Sequence, residues 1–151
     1  MSQLEIGKKA PAFKLKNQNG ETVSLKEFLG KKIVLYYYPK DDTPGCTAEA
    51  CDLRDNYKKL LKEGYVVLGI SPDDEKKHAK FITKYKLPFD LLCDEDHKVS
   101  LKYGVWVEKS MYGRKYMGIA RTTFIIDEKG KISEIISKVE TKNHSKQILK
   151  K

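Results

Sequence analysis

The apolar run from Ile33 to Tyr38 constrains the fold more than any other feature of the sequence. Its β-branched and aromatic side chains follow one another without polar interruption, which is typical of a central strand covered on both faces. Pro39 follows at once and ends the strand, because proline has no N–H to donate to a β-ladder. Residues 65–71 have the same character and predict a second buried strand. We therefore expect a sheet with other elements packed on both of its faces.

The segments around these strands have the apolar spacing of helices. Residues 46–63 predict one amphipathic helix, which Gly64 stops. Residues 91–93 predict a short third strand. The order βαβαβ favours a largely parallel arrangement of these three strands. A second helix is expected at residues 74–85, with its inward face formed by Ala79, Phe81, Ile82 and Tyr85.

Turn signals predict two β-hairpins near the ends of the chain. Asn19-Gly20 is a strong hairpin turn, and Glu128 to Lys131 is a second polar, glycine-containing turn. A short helix near 98–103 and a closing helix from Asn143 complete the expected elements. The strand pairs that the two turns separate are 12–15 with 22–25 and 122–127 with 132–137.

Length and charge limit the class of protein. The 151 residues predict a single domain over 1–151 with a sizeable core. We find neither a signal sequence nor an apolar stretch of membrane length, so we expect a cytoplasmic protein without a membrane partner. The net charge of +9 raises the possibility of nucleic-acid binding. Basic residues are interleaved with acidic ones, however, which favours a solvated surface and no nucleic-acid partner.

Cys46 and Cys51 are the residues most indicative of chemistry. In an ideal helix two positions five apart have Cα atoms roughly 8.6 Å from each other, whereas a disulfide tolerates at most about 7 Å. If both thiols lie on one helix, they can be joined only after its first turn unwinds. Three cysteines in a chain expected in a reducing compartment favour a catalytic or sensing disulfide over a structural one.

The other metal-ligating residue types do not point to a metal centre. The spacing of Cys46 and Cys51 does not suit zinc. His78, His97 and His144 each lie in a polar stretch without a paired ligand, so we expect them to be solvated surface residues. Cys93 ends an apolar strand and is expected to be buried as a small hydrophobe. We expect neither a metal nor an organic cofactor.

A βαβ unit followed by a hairpin, with a reactive cysteine where a strand meets a helix, indicates a thioredoxin-like fold. The thioredoxin Cys-x-x-Cys motif is absent from the sequence. Instead, Pro39-x-x-x-Thr43-x-x-Cys46 resembles the active-site signature of the peroxiredoxins. The continuation to Cys51 resembles the bacterioferritin-comigratory, or Q-type, subfamily, in an atypical two-cysteine form. Further similar segments lie at residues 69–71, 94–97, 104–106 and 118–121.

This resemblance implies an α/β, thioredoxin-like fold with a central mixed sheet, flanking helices and an N-terminal β-hairpin. It also implies that Cys46 attacks a peroxide. Independently, a helix N-terminus favours the thiolate form of a cysteine there, and the thiolate is the nucleophilic form. The resemblance assigns Arg121 to stabilising that thiolate and the charge developing on the peroxide. The alternative for Arg121 is a surface arginine at a strand start.

Other positions carry both a functional and a structural interpretation. Thr43 suits hydrogen bonding to the peroxide, or capping of the helix. Pro39 resembles the family residue that shields the thiolate, or simply ends the strand. Glu49 can orient Arg121, or complement the helix dipole as a first-turn carboxylate. Cys51 matches the resolving cysteine of the subfamily, with a small apolar helix residue as the alternative.

The resemblance therefore implies a thiol-dependent peroxidase that reduces hydrogen peroxide and organic hydroperoxides. Cys46 forms a sulfenic acid, Cys51 traps it as an intramolecular disulfide, and thioredoxin or a glutaredoxin-type donor restores the thiols. A disulfide within one chain does not require a dimer, so a monomer is expected. The alternative is a thioredoxin-like thiol-disulfide exchange protein, against which the five-residue cysteine spacing counts. Competition between peroxide and a model disulfide for the reduced protein separates the two.

Overall fold

The computed structural model describes residues 4–150. Met1 to Gln3 and Lys151, which the single-domain prediction includes, lie outside the described residues. Five α-helices and nine strands are present in that range. The helices are α1 (Pro44–Asp55), α2 (Tyr57–Lys62), α3 (Glu75–Tyr85), α4 (Lys98–Lys102) and α5 (His144–Leu149). The strands are β1 (Lys14–Lys16), β2 (Thr22–Ser24), β3 (Lys32–Tyr37), β4 (Tyr65–Ser71), β5 (Asp90–Cys93), β6 (Trp106–Met111), β7 (Arg114–Ile119), β8 (Thr122–Ile126) and β9 (Ile132–Ile136).

Seven strands form one mixed sheet in the order β2-β1-β5-β4-β3-β8-β9. The three central strands β3, β4 and β5 run parallel, as the βαβαβ order predicts. The remaining neighbours in the sheet pair antiparallel, including the predicted hairpins β1–β2 and β8–β9. Because β3, β4 and β5 are parallel, their carboxyl ends meet at one edge of the sheet. The loop that leads into α1 starts at that edge.

Strand β3 is covered on both faces, as its unbroken apolar run predicts. Leu35 and Tyr37 belong to one buried cluster, whereas Tyr36 and Tyr38 belong to the other. The second cluster includes buried side chains from α1, α2, α3 and α5, while α4 contributes to the first. Gly69 in β4 is required by this packing. A Cβ there would come within 2.7 Å of Leu91 Cδ2 and 2.9 Å of Tyr36 Cζ.

The helix expected at residues 46–63 is two helices. The break falls at Asn56, whose backbone adopts φ −110° and ψ 13°. Its side-chain amide donates a hydrogen bond to the carbonyl oxygen of Asp52 at 2.9 Å. Asparagine competes with helical hydrogen bonding in this way, which the apolar spacing alone does not reveal. The first helix, α1, nevertheless contains both Cys46 and Cys51.

A further hairpin, β6–β7, was not predicted from the sequence. Its strands pair from Trp106 with Ile119 to Met111 with Arg114. Tyr112 and Gly113 form the turn with φ values of 53° and 77°. A tyrosine is an uncommon residue for a positive φ, so the usual Asn-Gly or Asp-Gly signal is missing.

Within residues 4–150, no helix has the length and apolar character that a membrane crossing would need.

Candidate active site

Cys46 is buried in the first turn of α1, at the carboxyl edge of the central strands. Pro44 is the first helical residue, and Thr43 occupies the preceding cap position with extended backbone angles. Proline suits this position because its missing N–H would have no intrahelical partner there. The N-terminal end of α1, where the helix dipole is positive and the first N–H groups have no intrahelical partner, therefore lies at Cys46.

Arg121 approaches Cys46 from the start of β8, the neighbour of β3 in the sheet. It lies between β7 and β8, and the antiparallel register pairs Tyr37 with Thr122. The preceding residue, Arg121, is thus placed beside the carboxyl end of β3. Its Nη2 donates a hydrogen bond to Cys46 Sγ at 3.3 Å. A guanidinium in this position can stabilise negative charge on the sulfur or on an oxyanion beside it.

Glu49 holds the other arm of the same guanidinium. Arg121 Nη1 donates to Glu49 Oε1 at 2.6 Å, and the Glu49 side chain is fully buried. Burial raises the pKa of Glu49 to about 7, although the charge and hydrogen bond of Arg121 act in the opposite direction. Glu49 therefore contacts the same guanidinium that contacts Cys46.

Gly45 makes room for this ion pair. A Cβ at this position would lie 3.1 Å from Arg121 Nη2, closer than ordinary van der Waals contact. The sequence motif includes Gly45, but nothing in local spacing shows that the side chain of Arg121, far along the chain, lies against it.

His144, at the start of α5, is buried against the active site. The expectation of a solvated histidine is wrong here, because the ring is fully buried. Its Nε2 lies 2.7 Å from Thr123 Oγ1 and 3.5 Å from Glu49 Oε2, while Nδ1 lies 2.8 Å from Gln147 Oε1. Burial lowers the pKa of His144. Since His144, Ser145 and Ile148 share the buried face of α5, helical spacing was the signal that would have identified it.

The second oxygen of Glu49 lacks a conventional partner. Among the residues the structure describes, Glu49 Oε2 makes no hydrogen bond within the usual limits. It faces His144 Nε2, which accepts the Thr123 hydroxyl hydrogen when Nδ1 carries the ring proton and donates to Gln147. That lone pair is then already used, so Glu49 Oε2 gains no hydrogen bond from His144, and burial is the main cause of the raised pKa of this carboxyl group.

Thr43 has its hydroxyl turned away from the helix backbone. Within residues 4–150 the side chain makes no capping hydrogen bond, although Thr43 occupies the cap position. The hydroxyl instead donates to the carbonyl oxygen of Lys40 at 3.0 Å. Its oxygen lone pairs stay available to accept a hydrogen bond from a ligand beside Cys46. Pro39 is half-buried at the start of the same loop.

The other two cysteines occupy different environments. Cys51 lies in α1, five positions beyond Cys46, and is partly exposed. Cys93 is buried at the end of β5, which confirms the expected burial. All three cysteines lie in the described range, and none of them forms a disulfide.

The expectation for the remaining histidines is also wrong. His78 is fully buried on the inward face of α3, three positions before Phe81, so the same helical spacing identifies it. Charged residues next to His78 in the sequence led to the expectation that it is exposed. His97 is half-buried and stacks on Trp106, with ring centroids 3.7 Å apart.

Tyr103 and Tyr112 differ in their environments. Tyr103 is buried and packs against Tyr37, with ring centroids 5.4 Å apart. Tyr112 is fully exposed at the β6–β7 turn.

Within residues 4–150, the side chains close enough to share a metal ion are those of Asp41, Asp73 and His78, whose ligand atoms lie within 4.8 Å of one another. The hydrogen bonds among them, described below, already occupy these atoms. Cys46 is not among these three residues.

The fold is thioredoxin-like, and it places a buried cysteine in contact with an arginine at a helix start. The model of the AhpC/TSA family matches residues 6–135. Peroxiredoxin Bcp of Bacillus subtilis is 49% identical over 146 residues, covering 97% of this chain and 93% of the relative. Peroxiredoxin Bcp of Escherichia coli is 48% identical over 149 residues, covering 99% and 96%.

A solved structure agrees with these relatives. The bacterioferritin comigratory protein of Xanthomonas campestris, studied for its alkyl peroxide reduction activity, superposes with a TM-score of 0.89 at 32% identity, covering 97% of this chain and 96% of the other. The chain belongs to the AhpC/TSA family, in its bacterioferritin-comigratory, or Q-type, group of peroxiredoxins. It is thus a thiol peroxidase with a thioredoxin-like fold.

Proposed function

We propose that the protein reduces hydrogen peroxide and organic hydroperoxides through Cys46, with Cys51 as the resolving thiol. The observation that carries this proposal is the contact of 3.3 Å between Arg121 Nη2 and Cys46 Sγ at the start of α1. The sulfur thereby meets a fixed cation and a helix N-terminus together, and both favour the reactive thiolate. The alkyl peroxide activity of the Xanthomonas relative supports the same reaction class.

In the first step the Cys46 thiolate attacks the terminal oxygen of the peroxide. A sulfur–oxygen bond forms while the oxygen–oxygen bond breaks, and the leaving alkoxide or hydroxide takes up a proton. The products are a sulfenic acid on Cys46 and an alcohol or water. Arg121 stabilises the charge that moves from sulfur to the leaving oxygen.

The neighbouring residues position the reactants. Thr43 accepts a hydrogen bond from the peroxide, because its own hydrogen is directed at the Lys40 carbonyl. Pro39 shields the sulfur from water by presenting an apolar ring without an N–H. Glu49 fixes the orientation of Arg121 through its buried carboxyl group.

Resolution requires α1 to open. Both cysteines lie within this helix, and ideal geometry separates their Cα atoms by roughly 8.6 Å, beyond the reach of a disulfide at about 7 Å. Once the first turn unwinds, the Cys51 thiol attacks the sulfenic sulfur, a disulfide forms and water leaves.

An external dithiol completes the cycle. Thioredoxin, or a glutaredoxin-type donor, reduces the Cys46–Cys51 disulfide by thiol-disulfide exchange. A disulfide within one chain supports function as a monomer. The presence of three cysteines, two of them in a proposed catalytic disulfide, supports location in the reducing cytoplasm.

The test is a single turnover with one equivalent of peroxide, followed by intact-mass analysis of wild type, Cys46→Ser and Cys51→Ser. Wild type should lose two hydrogens as it forms an internal disulfide. Cys51→Ser should gain oxygen, because its sulfenic acid has no resolving partner. Cys46→Ser should not consume peroxide rapidly, and rapid consumption by this variant would exclude Cys46 as the nucleophile.

A further inference from the structure

A buried polar network holds the loop that delivers Thr43 and Cys46 to the active site. We call residues 39–43, between β3 and α1, the peroxide turn. Asp41 is its buried residue and points into the protein between β3 and α3. The mechanism proposed above assigns no role to Asp41 or to its partners.

Asp41 forms an ion pair with His78 of α3. Asp41 Oδ2 lies 2.7 Å from His78 Nδ1, and the other ring nitrogen lies 2.9 Å from the carbonyl oxygen of Leu92. A carboxylate and a carbonyl both accept hydrogen bonds, so each ring nitrogen must donate. The geometry therefore describes a doubly protonated, positively charged imidazole buried beside a carboxylate.

The electrostatics of the site agree with this protonation state. Burial alone lowers the pKa of His78, but the Asp41 carboxylate and the neighbouring Cys93 sulfur outweigh it and raise the pKa to about 10. His78 thus stays charged throughout the neutral range. A buried ion pair of this kind is costly to break, because removing one partner leaves the other charge uncompensated.

Further hydrogen bonds lock the turn to the sheet. Tyr38 donates its hydroxyl to Asp41 Oδ1 at 2.5 Å. The backbone N–H of Asp41 donates to Asp73 Oδ2 at 2.8 Å, and the Ser71 hydroxyl donates to the same oxygen at 2.7 Å. The three potential metal ligands are therefore satisfied within the protein, and the cluster acts as an internal clamp.

The outer side of the turn is held as well. Asp42, whose φ of 58° is uncommon for aspartate, accepts hydrogen bonds from Lys84 Nζ at 2.8 Å and from the Tyr85 hydroxyl at 2.7 Å. All three attachments, to His78, Lys84 and Tyr85, go to α3. The turn is thus tied to a helix that takes no part in the Cys46–Cys51 rearrangement.

We propose that His78 is a positioning residue, which holds the peroxide turn through Asp41 and sets the N-terminal limit of the unwinding of α1. This inference rests on the proposed function. Thr43 then keeps its place while residues after Pro44 rearrange, so that the peroxide site re-forms when the disulfide is reduced. The ion pair serves attack by Cys46 and not resolution by Cys51.

The test measures the two steps separately in His78→Gln and Asp41→Asn. Stopped-flow mixing gives a second-order rate constant for sulfenic acid formation and a first-order rate constant for disulfide formation. In each variant the rate constant for sulfenic acid formation should fall about tenfold or more, because misplacement of reacting groups lowers the rate steeply. The rate constant for disulfide formation should not fall. Asp41→Asn preserves shape and keeps the test valid if His78→Gln fails to fold.

Ile132→Ala is the matched control for lost stability. Ile132 is buried and pairs with Ile126, which pairs with Ile33 at the far end of β3 from the peroxide turn. The control should leave both rate constants close to wild type. If His78→Gln and Asp41→Asn show the same pair of rate constants as Ile132→Ala, or slow both steps equally, the positioning role is wrong.

The double variant tests whether the two residues act as one unit. Because each single change already breaks the same pair, Asp41→Asn with His78→Gln should attack peroxide no more slowly than the slower single variant. If the double variant slows attack on peroxide by the product of the two single-variant factors, the proposal is overturned. Cys46→Ser, measured in parallel, distinguishes failure of the positioning role from failure of the proposed function. Rapid reaction of that variant with peroxide would contradict the proposed function itself.

Discussion

The guanidinium of Arg121 contacts both the Cys46 sulfur and the buried carboxyl group of Glu49. Its two nitrogens are directed at Cys46 Sγ and Glu49 Oε1, a geometry that the planar guanidinium group provides and an ammonium group does not. We therefore expect an arginine at position 121 to provide more than its positive charge.

We expect Arg121→Lys to slow sulfenic acid formation by about a hundredfold, or about 2.7 kcal/mol, because one of the two directed contacts is lost. Stopped-flow peroxide kinetics measure this change. Arg114→Lys, at an exposed position of β7, is the matched control and should retain the wild-type rate. Equal rates for Arg121→Lys and wild type would show that only the positive charge is needed.

Glu49 links the stability of the protein to pH. Its pKa is about 7 in the folded state, above the ordinary glutamate value of 4.5, so the folded protein binds this proton more tightly than the unfolded chain. The corresponding stability is fully present below about pH 4.5 and is lost as the pH rises through 7. The lowered pKa of His144 acts in the opposite sense at acidic pH.

Glu49→Gln should therefore remove this pH dependence. Relative to wild type, the free energy of unfolding of the variant should rise by about 3 kcal/mol between about pH 4.5 and pH 8, as expected for a shift of this size. Urea denaturation across that range measures the difference. A constant difference at all pH values would contradict the raised pKa.

The residues of the site differ in how visible they are in the sequence. Pro39, Thr43 and Cys46 are neighbours in the chain, so a short motif groups them. Arg121 is 75 positions from Cys46 and is identified only through the family resemblance, because strand pairing brings it close. The roles of Gly45 and His144 depend on such distant contacts.

Among the elements, α1 carries the conformational change of the proposed cycle. It contains both cysteines and is separated from α2 by the break at Asn56, which confines unwinding to a helix of 12 residues. At its start the peroxide turn is held by α3, and near its end the Ser145 N–H of α5 donates to Asp52 Oδ2 at 2.7 Å. The first turns between these attachments are the part expected to open.

Hydrogen exchange followed by mass spectrometry tests this expectation. After oxidation by one equivalent of peroxide, the amides of residues 46–51 should exchange faster, while those of α3 and β3 should keep their protection. Cys51→Ser, treated in the same way, should retain protection in α1 because no disulfide forms. Unchanged exchange in α1 of the oxidised wild type would contradict local unwinding.

The helices and strands were predictable where the sequence has one clear hydrophobic pattern. The buried strands and the turn-flanked hairpins follow from continuous apolar runs and glycine-containing turns. The β6–β7 hairpin was missed because β7 is mostly exposed and its turn uses Tyr112 at positive φ. The inward position of His78 was missed because residue type was given more weight than helical spacing.

For the whole molecule, the order of the strands in the sheet depends on contacts that no local pattern shows. The amino-terminal hairpin joins the sheet through a single pairing of Lys16 with Cys93, and β8 inserts beside β3 from far along the chain. The second of these pairings creates the active site, because it carries Arg121 to Cys46.

The central claim is that one chain contains both halves of the redox cycle. Non-reducing peptide mapping after one equivalent of peroxide tests it most directly. We predict a single disulfide between Cys46 and Cys51 of the same chain, with the Cys93 thiol free. A bridge between chains, a bridge to Cys93, or a stable sulfenic acid without any bridge would contradict the account.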